Sequence, residues 1–110
     1  MTLLPKAPAD VALAPVAAKI DLNLQRLRDK SLAEIDYELA LELDRPLIAN
    51  THRERAEHVL RLALRDVDCH GWHASITDDS ARLHLVGGSV SLDLGLGDTV
   101  TRYIESGLPG

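Results

Sequence analysis

The chain has 110 residues, of which 45% are apolar and 26% are charged, the balance of an ordinary single globular domain. Its net charge of −5 argues against broad attraction to nucleic-acid phosphates or to anionic lipid. The single cysteine excludes an intrachain disulfide framework and fits a reducing cytoplasm, and no apolar run reaches the length of a membrane helix.

The first elements are a tail and a helix. Residues 1–15 are rich in alanine and proline and predict a flexible tail, which leaves residues 16–110 as a single domain. From Val16 onward, apolar residues recur at steps of four and three, which predicts an amphipathic helix. Its inward stripe consists of Val16, Ile20, Leu24 and Leu27.

The segment 31–44 fits two periods. Ser31 and Glu34 form a capping box, in which each side chain satisfies a free amide of the first helical turn. Leu32, Ile35, Leu39 and Leu43 fall on one helical face, but the apolar residues from Ile35 to Leu43 also alternate as in a strand. Because leucine, glutamate and alanine dominate, we predict a helix, with a strand as the alternative.

The segment 51–67 predicts the best helix of the chain, after Pro46 has ended the preceding element. Thr51 and Glu54 form a second capping box. The apolar stripe that follows has the helical period and consists of Ala56, Val59, Leu60, Ala63, Leu64 and Val67. His52 and His58 are expected to point to solvent.

After Gly71 the period changes to two, which predicts a three-stranded antiparallel meander over about 72–77, 81–86 and 89–94. Trp72, Ala74 and Ile76 are expected to face the core. A type I′ turn at Gly87 and Gly88 would fix the second hairpin. Its predicted pairs are Leu85 with Val90, His84 with Ser91, Leu83 with Leu92 and Arg82 with Asp93.

A short C-terminal helix follows, with Asp98 as its predicted cap and Gly107 as its stop. Val100, Tyr103 and Ile104 are expected to point inward. The elements together predict an α+β fold, with two or three N-terminal helices and the C-terminal helix on one face of the sheet.

The stretch "CHGWHA", Cys69 to Ala74, suggests a metal site or a Cys/His enzyme site near 69–73. A structural zinc site needs four ligands at recognisable spacing. The sequence offers no second pair of Cys or His ligands to complete a site with Cys69, His70 and His73. If the first hairpin turns at two residues, His73 lies opposite His84, and the two histidines with the nearby Asp93 could hold a divalent ion weakly. A slip of the pairing by two residues would set Ser75 against His84 instead. The simpler interpretation is a turn and a solvated strand face, without catalytic residues, metal or cofactor.

The helix 51–67 concentrates arginines and suggests an interface, to which we assign Arg53, Arg55, Arg61 and Arg65. Contact with nucleic acid is one hypothesis, against which stand the net acidity and the absence of interleaved aromatic residues. The residues 31–44 carry five acids and no base, so the two segments could instead compensate each other.

The hypothesis favoured by the sequence is a small non-catalytic interaction or regulatory module that acts as a homodimer or on a protein partner. The outer strands of a three-stranded meander carry unpaired backbone groups, and its polar face is open. We therefore add His73, Arg82 and His84 to the predicted partner-binding residues.

Overall fold

The computed structural model describes residues 8–44, 50–68 and 71–109. Within these ranges the order of elements is α1 (Pro8–Arg28), α2 (Leu32–Leu43), α3 (His52–Ala63), β1 (His73–Ile76), β2 (Arg82–Gly87), β3 (Val90–Gly95) and α4 (Asp98–Glu105). The three strands form an antiparallel sheet in the order β1-β2-β3. The predicted α+β fold is confirmed, whereas the predictions for Pro46, Cys69 and His70 lie outside the described residues.

Helix α1 begins at Pro8, before the predicted start at Val16. Proline suits the first position of a helix, because its fixed φ is helical and its missing N–H has no intrahelical acceptor there. The helix therefore includes part of the stretch predicted as a flexible tail, and residues 1–7 lie outside the described part of the chain. The predicted inward residues Ile20, Leu24 and Leu27 are fully buried.

Helix α2 is confirmed, and the strand alternative for 31–44 is wrong. The capping box of Ser31 is present, since the Glu34 amide donates to Ser31 Oγ at 3.2 Å and the Glu34 carboxylate accepts from the Ser31 amide at 3.1 Å. Ile35 and Leu39 are fully buried. Leu32 was expected to face inward but is 39% exposed, because it stands in the first turn, outside the cluster that Ile35 and Leu39 reach.

Helix α3 also starts with its predicted capping box, as the Glu54 amide donates to Thr51 Oγ1 at 3.1 Å. It ends at Ala63 rather than near residue 67, and Asp66 then takes a left-handed conformation. His58 was expected to point to solvent but is only 3% exposed. It lies one turn before the buried Leu62, so both side chains share the face of the helix that meets the core.

The strands are confirmed, but the predicted pairing of β2 with β3 is wrong by two residues. The observed pairs include Leu83 with Leu94, His84 with Asp93 and Leu85 with Leu92. The turn lies at Gly88 and Ser89, of which only Gly88 has a positive φ, as in a type II′ turn. A slip of two residues leaves every side chain on its predicted face, so the alternation alone could not detect it.

The core lies between the inner face of the sheet and the helices. Leu83 and Leu85 are fully buried against it, while Trp72, Ala74 and Ile76 pack on its border. Helix α3 contacts β1, α1 contacts β2 and β3, and α4 contacts the other three helices. The predicted inward residues of α4 are also fully buried: Val100, Tyr103 and Ile104. Its cap is Gly97, at φ 90°, and not Asp98, which is already helical.

Candidate functional site

The structure does not bring the four predicted arginines together on one open surface. Arg53 and Arg61 are exposed on α3. Arg65 forms an ion pair with Glu42 of α2, which Arg26 also contacts at 2.6 Å. The acidic and basic segments therefore meet at this carboxylate.

Arg55 is half-buried between α3 and α4. Its guanidinium lies 4.6 Å from the centre of the Tyr103 ring, and Nη1 donates to the Tyr103 carbonyl at 3.1 Å and to Ser106 Oγ at 2.9 Å. Burial raises the pKa of Tyr103 to about 12, with the nearby Asp36 acting in the same direction and Arg55 opposing it. Arg55 therefore fastens α3 to α4.

The outer face of the sheet carries a polar cluster around Asp93. His84 Nδ1 lies 2.5 Å from Asp93 Oδ1, and Arg82 Nη1 lies 3.8 Å from Asp93 Oδ2. His73 is exposed and pairs with Val86, so it does not face His84. Among the described residues no group of three or more His, Cys, Asp or Glu side chains could hold a metal ion. The two-residue turn that would set His73 opposite His84 is therefore wrong, and Ser75 lies opposite His84 instead.

Ser75, His84 and Asp93 stand side by side on β1, β2 and β3. For Ser75 to act as a nucleophile in acyl transfer, its hydroxyl would have to donate a hydrogen bond to the His84 imidazole. Hydrogen-bond donors would also have to stabilise the oxyanion that forms on the substrate. The hydroxyl of Ser75 makes no hydrogen bond to His84 within the described structure.

The outer edges of β1 and β3 differ in whether a side chain binds their backbone groups. At the edge of β3, Arg28 of α1 donates to the Gly95 carbonyl through Nε at 3.2 Å and Nη2 at 2.8 Å. Its Nη2 also lies 2.7 Å from the Asp21 carboxylate, which fixes the side chain in place. A buttressed charged side chain on an edge carbonyl hinders the addition of a further strand.

Within residues 8–44, 50–68 and 71–109, no backbone group pairs with the outer edge of β1. The Thr77 amide donates to the Arg82 carbonyl at 3.0 Å. In an antiparallel pair every second residue forms hydrogen bonds with the neighbouring strand, so the N–H and C=O groups of Ser75 and His73 also point at β2. Ala74 and Ile76 consequently direct their N–H and C=O groups away from the sheet. Within the described ranges no hydrogen-bond partner reaches these four groups.

A groove runs beside this edge, with β1 on one side and α3 on the other. One cavity of about 240 Å³ is lined by Ala56 and Leu60 of α3 and by Ala74 and Ile76 of β1, with Arg53 and Glu57 also on its wall. A second cavity of about 290 Å³ continues past Ala56 and Ile76 to the turn between β1 and β2. The groove therefore has mainly apolar walls beside the unpaired backbone groups of Ala74 and mainly polar walls near the turn.

The turn at the end of the groove is firmly held. Asp79 Oδ1 accepts from Thr77 Oγ1 at 2.5 Å and from the Ala81 amide at 3.1 Å, and these bonds hold the pKa of Asp79 below its usual value. Ser80 takes a left-handed φ of 57°, and its carbonyl accepts from Thr101 Oγ1 of α4 at 2.7 Å. The end of the groove is thereby tied to the helical layer.

Sequence reasoning placed unpaired groups on both outer strands but missed the groove and the difference between the edges. Leu60 and Ile76 were assigned to the core, and nothing local marks them as the walls of a cavity. Arg28 is 67 positions from the carbonyl it covers, so only the tertiary structure reveals its role.

Comparison of the chain with known protein families, with curated proteins and with solved structures finds no match. Among the described helices none is long and apolar enough to cross a membrane.

Proposed function

We propose that this chain is a small non-catalytic interaction module that binds an extended segment along the open edge of β1. The segment belongs either to a second copy of the chain or to a protein partner. The observation that carries the proposal is the outward direction of the N–H and C=O groups of Ala74 and Ile76, which lie beside the groove against α3.

The chemistry of such a site is main-chain pairing. An added strand would pair its own backbone with Ala74 and Ile76, which supplies affinity without regard to sequence. Alternate side chains of that strand would point toward the apolar walls formed by Ala56 and Leu60, which supplies selectivity for aliphatic side chains. The charges of Arg53 and Glu57 on the same wall would select the polar side chains of the segment.

The arginine on the edge of β3 supports the choice of the β1 edge as the binding site. Its Gly95 carbonyl is occupied by Arg28, so a further strand would have to displace a guanidinium that Asp21 holds. The lone cysteine fits a reducing compartment, and we place the module in the cytoplasm.

An edge-blocking substitution tests the proposal. Ala74→Pro removes the outward N–H of β1 and puts the proline ring in its place, and the ladder with β2 does not use this N–H. Ser91→Pro is the matched control, because the Ser91 N–H points away from β2 on the edge of β3. Circular dichroism and thermal unfolding establish that both variants fold.

The readouts are the concentration dependence of the sedimentation mass and the set of proteins that the immobilised domain retains. We expect Ala74→Pro to lose the self-association or the retained protein, and Ser91→Pro to keep it. Ala56→Leu, which fills the groove from α3 without altering β1, should have the same effect as Ala74→Pro. Unchanged association in both Ala74→Pro and Ala56→Leu would refute the proposal.

A further inference from the structure

The groove beside β1 ends in a polar cavity. This third cavity has a volume of about 230 Å³ and lies at the turn between β1 and β2. It shares three lining residues with the second cavity, so it continues the groove beyond the apolar part. We call it the polar end of the groove, and its described lining residues are His52, Asp78, Ser80 and Glu105.

Ser80 is the buried residue of this polar end. It is only 8% exposed, and its hydroxyl makes no hydrogen bond to any group in the described part of the chain. Its backbone groups are already used, since the amide donates to the Thr77 carbonyl at 2.8 Å and the carbonyl accepts from Thr101 Oγ1. A buried hydroxyl without a partner costs free energy, so the Ser80 hydroxyl is available to a ligand that enters the cavity.

The carboxylates of the polar end are unpaired. Asp78 and Glu105 are exposed, and neither forms an ion pair among the residues that the structure describes. Arg53 lines the second cavity but not the third, and Arg102, three residues before Glu105, makes no ion pair with it in the described structure. Among the described lining residues His52 is the one base. The polar end therefore has two carboxylates and one hydroxyl as hydrogen-bond acceptors.

We propose that the polar end binds the lysine ammonium group of a partner protein's segment that adds to β1, an inference that rests on the proposed strand-binding function. The three N–H donors of the ammonium group match the three acceptors, Asp78, Glu105 and the Ser80 hydroxyl.

The position of the lysine in the segment follows from strand geometry. Antiparallel addition sets the N-terminal part of the segment beside the end of β1, at the turn. Every second side chain of a strand points to the same face. The lysine therefore stands two residues before the side chain opposite Ile76 and four before the one opposite Ala74, both of which meet the apolar part of the groove.

A second copy of the chain does not supply this segment. The lysines in its 110 residues are Lys6, Lys19 and Lys30. None of them is followed by aliphatic residues at both the second and the fourth position. The spacing of lysine, aliphatic and aliphatic residues thus belongs to a different protein.

The test measures the fluorescence anisotropy of a labelled peptide against the intact chain. The peptide has a blocked N-terminus and the central sequence Lys-Ser-Val-Ser-Val, and two matched peptides carry glutamine or glutamate in place of the lysine. We expect saturable binding of the lysine peptide, about fivefold weaker binding of the glutamine peptide and still weaker binding of the glutamate peptide. The differences should shrink as salt is raised.

Substitutions in the polar end test the same contacts from the side of the chain. Asp78→Asn and Glu105→Gln should each weaken binding of the lysine peptide by about threefold and leave binding of the glutamine peptide unchanged. Ser80→Ala should also weaken binding of the lysine peptide, without loss of stability, because the hydroxyl has no partner in the described fold. Asp29→Asn is the matched control, because Asp29 is exposed and follows Arg28, which lies at the opposite edge of the sheet.

The proposal is overturned if the lysine peptide does not bind, if the lysine and glutamine peptides bind equally, or if Asp29→Asn weakens binding as much as Asp78→Asn does. Ala74→Pro separates this result from the strand-binding function, because it should abolish binding of the lysine and glutamine peptides alike. Equal binding of both peptides that is lost in Ala74→Pro would overturn the lysine site and leave the strand-binding function standing. Undiminished binding to Ala74→Pro would refute strand addition at this edge.

Discussion

Replacing Arg55 by alanine tests whether this arginine is part of the fold or part of an interface. The substitution removes the cation above the Tyr103 ring and two hydrogen bonds that join α3 to the end of α4. Arg53 and Arg61 lie on the same helix and are exposed, so Arg53→Ala and Arg61→Ala are matched controls.

The magnitude follows from these contacts. A partly desolvated cation over an aromatic ring contributes about 0.5–2 kcal/mol, and hydrogen bonds from a charged donor contribute about 1.5–3 kcal/mol each. Two features make the cost smaller than the sum of these contributions. Ser106 Oγ also donates to the Tyr103 carbonyl at 2.8 Å, so the carbonyl keeps a donor in the variant. Arg55 Nε is buried without a hydrogen bond, so the substitution also removes an unsatisfied polar group. We therefore expect Arg55→Ala to cost roughly 2–4 kcal/mol of unfolding free energy.

Thermal and urea unfolding measure the cost. A loss of about 2 kcal/mol lowers the melting temperature of a domain of this size by about 8 °C or more, whereas the two control variants should stay within about 0.5 kcal/mol of the unmodified protein. Arg55→Lys keeps the charge and should fall between them. If Arg55→Ala is no less stable than Arg53→Ala, Arg55 does not fasten α3 to α4, and its assignment to the fold is wrong.

Two further predictions concern α4 and the turn after it. The pKa of Tyr103 is about 12 in the folded protein and about 10 in an unfolded chain, so the unfolded state loses the phenolic proton first as pH rises. The free energy of unfolding therefore keeps its full value below pH 10 and falls by roughly 2–3 kcal/mol as pH rises toward 12. Unfolding at graded alkaline pH in a Tyr37→Phe background checks this, and Tyr103→Phe should remove the dependence. Gly107→Ala would place a Cβ 2.6 Å from the His52 amide nitrogen and should destabilise the fold by about 1–3 kcal/mol, whereas Gly95→Ala meets nothing within 4 Å and should be near neutral in the same unfolding assay.

The parts of the fold that depend on neighbouring residues were predictable from the sequence. The capping boxes at Ser31 and Thr51 act over three residues, so they fix where α2 and α3 begin. The alternation along β2 places Leu83 and Leu85 inward whatever the pairing. Local chemistry thus predicted the elements and most of their inward residues, with Leu32 and His58 as exceptions.

The rest depended on contacts between distant residues. The register of β2 and β3 differs from the prediction by a slip that alternation cannot see, and it brings His84 to Asp93 instead of Ser91. The role of Arg55 depends on Tyr103, 48 positions away. The concentration of arginines in the segment 51–67 placed Arg55 among the partner-binding residues, and nothing in the sequence around it indicates its contact with the Tyr103 ring.

The same limit applied to the candidate site. A three-stranded meander has two outer edges, and nothing in the sequence pattern shows that one edge is covered and the other is not. The structure distinguishes them because Arg28 reaches Gly95 across the fold, while α3 leaves a groove beside Ala74 and Ile76. The predicted residue set therefore overlaps the observed groove only at Arg53 and His73.

Hydrogen exchange of the four amides of β1, followed by NMR at low protein concentration, tests the open edge most directly. The amides of His73 and Ser75 point at β2 and should be protected, whereas those of Ala74 and Ile76 point outward and should exchange at rates close to those of an unfolded chain. Protection of Ala74 and Ile76 equal to that of Ser75 in the lone chain would mean that the edge is already covered, and would contradict the proposed strand-binding function.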